Sequence, residues 1–212
     1  MALPDRLASR ETGTAAPGRA PWQSALPSLE LRTAVLREVV VRDAASLQSA
    51  LTRPEVQRYL PVGPTTVDDY ARFIRWVRRE RRAGRYLCFA VLPRSTGRAA
   101  GIFQFWPIEP GFGTAELGFA LDPALWGTGT FAECASAVLD FGFTSLGIRR
   151  LECRSAVSNA RGIAALRKLG AVYEGTLRQC FPCPGGVLDH AMFSVLSDEW
   201  RARRTGGYTR YA

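Results

Sequence analysis

With 212 residues and 47% hydrophobic content, the chain has enough apolar material for one medium-sized domain with a sizeable core. No run of eighteen or more apolar residues is present, which excludes a membrane-spanning helix, and no apolar stretch with a small-residue cleavage site reads as a secretory leader. The formal charge of +9 is carried by arginine, since Lys168 is the only lysine, and such a balance suits an anionic small molecule, nucleic acid or an anionic surface. The arginines cluster only from Arg72 to Arg85, with no RNA-binding aromatic signature and no zinc-finger spacing. Five cysteines are an odd number, and three of them sit in apolar runs as buried free thiols do. A reduced, cytoplasmic protein without a metal site is the expectation.

Residues 1–28 are rich in Ala, Pro, Gly, Ser and Arg without apolar periodicity, and read as a flexible arm on which Trp22 and Leu26 could dock. A single domain is expected over 29–200, followed by a mobile tail at 201–212. Val35 to Val41 reads as a strand, and Asp43 as the N-cap of a helix reaching about Leu51. Thr66 can cap a second helix, along which Tyr70, Phe73, Ile74 and Val77 recur at helical spacing. The period then changes. Tyr86 to Leu92, Ala99 to Trp106 and Thr114 to Leu121 read as an antiparallel meander. A helix from about Thr128 to Phe143, a strand from Leu151 to Val157 and a helix from Ala160 to Leu169 follow, the last closed by Gly170. Val172 to Cys180 and Leu188 to Leu196 pair across Gly185-Gly186. The order β-α-α-β-β-β-α-β-α-β-β predicts an α/β (α+β) fold, with a mixed, mostly antiparallel sheet of about seven strands and helices on both faces.

The segment from Glu116 to Glu133 carries the chemistry. It is a strand, a Pro-containing turn, and Gly127-Thr128-Gly129 entering a helix. Backbone N–H groups at a helix start are unpaired and lie at the positive end of the helix dipole. Glycines at 127 and 129 let the chain curl so that several N–H groups face one anion, for which a pyrophosphate is suited; a tight turn without a ligand has the same local pattern. Three glycines and a parallel sheet would be needed for a dinucleotide fingerprint, and neither is present.

The chain resembles the ribosomal-protein alanine acetyltransferase (RimJ/RimL-like) branch of the GCN5-related N-acetyltransferases over roughly Leu31 to Trp200. The blocks that carry the resemblance occur in order: Leu36-Arg37 with Asp43, Glu55-Val56 with Tyr59-Leu60, Gly101-Ile102, Ala115 to Phe119, Leu121-Asp122-Pro123, Trp126-Gly127 with Gly129 and Glu133, Asn159, Lys168 with Gly170, Glu174-Gly175 with Leu177-Arg178, Asp189-His190 and Glu199-Trp200. The resemblance implies acetyl-CoA as cosubstrate and an amine acceptor, either a protein N-terminus such as that of a ribosomal protein or a small amine. It implies that the amides of Trp126, Gly127, Thr128, Gly129 and Thr130 hold the pyrophosphate. The strand edge at Phe119, Ala120 and Leu121 would pair with the pantetheine arm, and Asn159 would border the thioester gap. Asn159 can equally be the N-cap of the following helix. Glu116 would be the general base, or would pair structurally with an arginine; as a carboxylate in an apolar stretch, it is suited to taking an ammonium proton.

Three positions depart from the family pattern. Ala124 stands where a Gln or Arg often precedes the glycines. Gly162 stands where this branch commonly carries a serine, and Leu166 where other branches carry a tyrosine that protonates the leaving thiolate. No general acid is left in view. A non-catalytic acyl-CoA-binding or interaction module therefore stands as an alternative, beside an antibiotic or small-amine acetyltransferase and a nucleic-acid-associated protein whose Arg72 to Arg85 helix touches phosphates; a homodimer through the C-terminal strands or exposed helix faces is compatible with the sequence. Cys180-Phe181-Pro182-Cys183 has no second pair to complete a zinc site, His190 reads as structural, and Phe103, Phe105 and Trp106 are candidates to line the acceptor pocket.

Overall fold

A computed structural model describes residues 20–204. The helices are α1 (Pro21–Ser24), α2 (Ala44–Leu51), α3 (Pro54–Gln57), α4 (Val67–Arg82), α5 (Thr130–Ser145), α6 (Ala160–Lys168) and α7 (Ser197–Arg204). The strands are β1 (Leu29–Glu30), β2 (Ala34–Glu38), β3 (Leu87–Pro93), β4 (Gly101–Pro107), β5 (Thr114–Leu121), β6 (Arg150–Ala156), β7 (Val172–Cys183) and β8 (Gly186–Leu196). They form one sheet in the order β1-β2-β3-β4-β5-β6-β8-β7. Every pairing is antiparallel except β5 with β6, which are joined by the α5 crossover.

The sheet has eight strands where about seven are expected. The addition is β1, two residues long, which no alternation could reveal. The central strands are apolar on both faces because both faces are covered. Leu87, Phe89 and Val91 of β3 join Phe103, Phe105 and the α5 residues Cys134, Val138 and Leu139 in one core. Cys88, Ala90, Ile102 and Ala120 point the other way, into a second core with Leu47, Tyr70, Ile74 and Val77 from α2 and α4.

Thr66 caps α4 as expected, its hydroxyl accepting from the Asp69 amide at 3.2 Å. Asp43 precedes α2 but makes no side-chain cap. Its carboxylate instead accepts two guanidinium bonds from Arg37 at 2.8 Å each and the Val40 amide at 2.9 Å. The α4 arginines are largely matched locally. Arg81 is 2% exposed and reaches Glu38 at 2.7 Å, Arg85 pairs with Glu80, and Arg72 with Asp69. This face is therefore a poor free cationic stripe for phosphates.

Residues 1–19 of the expected N-terminal arm lie outside the described residues. From residue 20 the chain packs on the domain: Leu26 is buried, Trp22 meets Phe112 edge-on at 5.5 Å, and Arg81 donates to the Trp22 carbonyl. The expected tail begins inside α7, and its residues 205–212 lie outside the described residues. No helix among the described residues is long and apolar enough to cross a membrane.

Candidate active site

Two neighbouring strands run parallel and then part. β5 pairs with β6 from Thr114↔Arg150 to Leu117↔Cys153 and no further. Beyond that point β5 keeps β4 on its other side through Leu121, so from Gly118 to Leu121 the edge facing β6 has no strand partner. β6 meanwhile stays paired with β8 to Ala156. The result is a wedge-shaped gap whose apex is the Leu117/Cys153 level.

The chain leaves β5 through a turn in which the Asp122 carboxylate accepts from the Ala124 amide at 2.8 Å, and arrives at Trp126 to Thr130. Gly127 and Gly129 have φ of 77° and 84°, a left-handed backbone that glycine adopts without a Cβ penalty, and a Cβ at either would meet nothing within 4 Å. The amides of Gly127, Thr128 and Gly129 donate to no acceptor among the described residues, and α5 begins with no side-chain cap. Open space, several unpaired donors and the positive end of a sixteen-residue helix fit a phosphate group. The loop is held from behind. The Trp126 indole donates to the Leu121 carbonyl at 3.2 Å, and Thr128 Oγ1 donates to the Leu125 carbonyl at 2.8 Å. Glu133, in the first turn of α5, accepts from the Arg32 and Thr33 amides and from the Thr33 hydroxyl, which ties the helix start to the β1–β2 turn. These bonds, the hydroxyl's first, hold its carboxyl below the usual range.

The start of α6 forms the opposite lip. Asn159 accepts from the Gly162 amide at 2.9 Å, which is the N-cap expected of it. Arg161 lays its guanidinium over the Trp126 ring, 4.4 Å from the centroid, so the two helix starts touch. Leu166 is 0% exposed, within the α5-side core. Gly162 is tightly enclosed, because a Cβ there would lie 2.5 Å from Ser155 Oγ.

Glu116 sits near the apex, opposite Trp106 on β4 and Glu152 on β6. It shares the α4-facing side of β5 with Gly118 and Ala120, and its side chain is 15% exposed. Its surroundings are less apolar than the sequence suggests, since Arg154 Nη2 stands 3.3 Å from Glu116 Oε2 and 3.9 Å from Glu152. An aromatic wall runs along the same face. Trp106 stacks on Tyr86 at 5.8 Å, Tyr86 meets Trp76 at 4.9 Å, and Trp76 stacks on Phe73 at 6.3 Å. Gly118 makes room for it, because a Cβ there would fall 2.9 Å from the Trp106 ring. Burial pushes the Tyr86 hydroxyl far above its ordinary value, so it remains a donor, to Gln104. Further along this face a small, mostly apolar cleft lies between residues 57–65 and Pro184, floored by Ile102 and Ala120. Of the three aromatic candidates for the acceptor side, only Trp106 faces it. Phe103 and Phe105 point into the α5 core and are fully buried.

The chain is similar to known proteins. Residues 34–172 match the model of the acetyltransferase (GNAT) domain. The chain belongs to the GNAT acetyltransferase family. It is 31% identical over 166 residues to the uncharacterized N-acetyltransferase p20 of Bacillus licheniformis, a match covering 78% of this chain and 93% of that one. The GNAT fold is shared with Mycobacterium smegmatis RimJ in complex with CoA-disulfide (TM-score 0.75, 22% identity, 84% of this chain and 94% of that one). It is shared also with the ribosomal-protein-S5-alanine acetyltransferase of Vibrio fischeri (TM-score 0.74, 18% identity, 82% and 98%). The alignment makes this GNAT domain an N-acetyltransferase by family.

The gap, the glycine loop and Asn159 thus fall together, and Glu116 lies on the adjoining face. Arg154 and Arg161 were not legible as site residues. The sequence signal for Arg161 was its place two residues past Asn159 on a helix start, and for Arg154 its place one pleat before the end of β6. Cys180 and Cys183 are both free thiols, the first exposed and the second buried. His190 is 4% exposed, stacks on Phe181 at 4.0 Å and has no hydrogen-bond partner at either ring nitrogen among the described residues. Burial, with Arg154 second, lowers its pKa from 6.5 to about 4.

Proposed function

We propose that the chain transfers an acetyl group from acetyl-CoA to a primary amine. The amides of Gly127 to Thr130, with Trp126 beneath them, hold the pyrophosphate. The free β5 edge from Gly118 to Leu121, including Phe119 and Ala120, pairs with the pantetheine arm, and Asn159 borders it. Acetyl-CoA supplies the activated carbonyl; the protein supplies orientation and proton removal. Holding amine and thioester together at the gap's apex removes much of the entropic barrier to attack. Glu116 receives the ammonium proton, directly or through water, so that a neutral nitrogen attacks. Arg154 orients Glu116, and the Trp106–Tyr86 wall packs the acceptor's apolar part. The observation that carries this reading is the parting of β5 from β6 after Leu117↔Cys153, beside a helix start whose glycine amides are unpaired.

The acceptor is a peptide N-terminus or a small amine that reaches Glu116 from the cleft between residues 57–65 and Pro184. The experiment is thiol release from acetyl-CoA in the presence of N-terminal-alanine peptides and of small amines. Turnover with one class is expected, and Glu116→Gln should lower kcat at least about 100-fold while CoA still binds. Equal turnover by Glu116→Gln would remove the base from the reading.

A further inference from the structure

The leaving sulfur needs a hydrogen-bond donor, and both helix positions that could supply one are closed: Gly162 has no side chain and Leu166 is sealed in the core. The strand offers another. Along β6, Leu151, Cys153 and Ser155 point to the α5/α6 side, and Cys153 is the last residue paired with β5. Ser155 is therefore the first side chain of this row beyond the apex, where the strands have separated. It is buried, and a Cβ on Gly162 would fall 2.5 Å from its Oγ and 2.6 Å from Asn159 Nδ2. The space beside Gly162 is thus already held by the Ser155 hydroxyl, and a serine at 162 would collide with it. Ser155 Oγ has no hydrogen-bond partner among the described residues.

We propose that the Ser155 hydroxyl donates the hydrogen bond that receives the coenzyme sulfur as the thioester breaks, taking from the strand the place that a helix side chain at 162 would fill. This rests on the acyl-transfer reading above. The amine nitrogen bonds to the carbonyl carbon, the carbon–sulfur bond breaks, and its electron pair goes to sulfur. The amine proton goes to Glu116 or water. Ser155 keeps its own proton, because an alkoxide is far more basic than a thiolate, whose conjugate thiol titrates near about 8.5. The thiolate leaves as such and takes a proton from water on release. The hydroxyl's work is to favour negative charge on sulfur at the apex of the gap.

That work can be read without an acceptor, in the titration of bound CoA. The thiol of CoA bound to the full chain is followed by its ultraviolet thiolate absorbance, with desulfo-CoA as the blank. The wild type is compared with Ser155→Thr, which keeps the hydroxyl, and Ser155→Val, which keeps Thr's shape without it. The bound thiol is expected to titrate about one pH unit lower in the wild type and Ser155→Thr than in Ser155→Val, a tenfold preference for thiolate. CoA affinity at neutral pH should stay within about twofold across all three. A merely structural serine would move affinity and not the thiol. If Ser155→Val does not fold, Ser155→Ala takes its place. CoA that binds all variants and titrates alike in them would overturn the role of Ser155 while leaving the acyl-transfer reading intact. A Thr variant that titrates like Val would do the same. No CoA binding by the wild type would overturn both.

Discussion

Two helix starts face each other across the gap, and they solve the same physical problem in opposite ways. At α6 the chain satisfies one of its orphan donors itself: the Asn159 side chain accepts from the Gly162 amide at 2.9 Å. At α5 the residue in the same position is Gly129, which has no side chain to offer, and the amides of Gly127, Thr128 and Gly129 find no acceptor among the described residues. A helix start with a side-chain cap turns part of its donor set inward, whereas one whose N-cap is glycine, braced by Trp126 and Glu133, leaves its loop amides open to solvent. Arg161 on Trp126 joins the two lips directly.

Removing that contrast should have the largest effect. Gly129→Glu places a carboxylate among the free amides and should weaken CoA binding at least about 100-fold, or about 3 kcal/mol. Gly129→Ala shares the strained φ of 84° without the charge, at a cost of about 1 kcal/mol of stability, and should bind within about tenfold of wild type. Calorimetric titration of both variants checks this. Similar affinities for the two would mean that backbone strain, and not anion exclusion, governs the loop.

A second effect comes from the buried histidine of β8. His190 titrates at about 4 when folded and near 6.5 when unfolded. As pH falls below 6.5 the unfolded chain takes up this proton first, so stability is undercut from about 6.5 down to about 4. Glu174, held to about 2 by Arg150 when folded and titrating near 4.5 when unfolded, adds to the same loss only below about pH 5. Stability should therefore be about 2 kcal/mol lower at about pH 5 than at about pH 7, read from urea denaturation, with His190→Phe removing most of the difference.

Asn159→Ala should cost about 1 kcal/mol of stability, the ordinary loss of an N-cap, visible as a lower Tm. If CoA affinity falls by more than stability predicts, Asn159 also meets the ligand. Arg161→Ala should be smallest, loosening the lips by about 0.5–1 kcal/mol and lowering CoA affinity less than tenfold. An affinity loss as large as that of Gly129→Glu would instead place Arg161 among the phosphate's direct partners.

Much of this was legible in the sequence because it depends on local rules. The change from helical to alternating period located β3, β4 and β5, Thr66 marked the α4 start, and Gly127-Thr128-Gly129 before an apolar helix marked the glycine loop that opens α5. What was hidden depends on register. Because β4 is apolar on both faces, its alternation cannot tell whether Phe103 and Phe105 or Gln104 and Trp106 look toward Glu116; only pairing with β5 decides. Asp43 had a good capping residue type but a stronger partner, Arg37, six positions away. Glu116 lay in an apolar run, and nothing along the chain showed that Arg154, thirty-eight residues on, would face it. Nothing along the chain showed that Ser155, on the strand before α6, would fill the space beside Gly162.

The most direct test of the contrast between the two helix starts is amide NMR of the folded chain with and without CoA. Large shifts and slowed hydrogen exchange at Gly127, Thr128 and Gly129, with Gly162 exchanging as before, are the expected result. Unchanged amides at 127–129, with the perturbation falling instead on residues 57–65, would contradict the account.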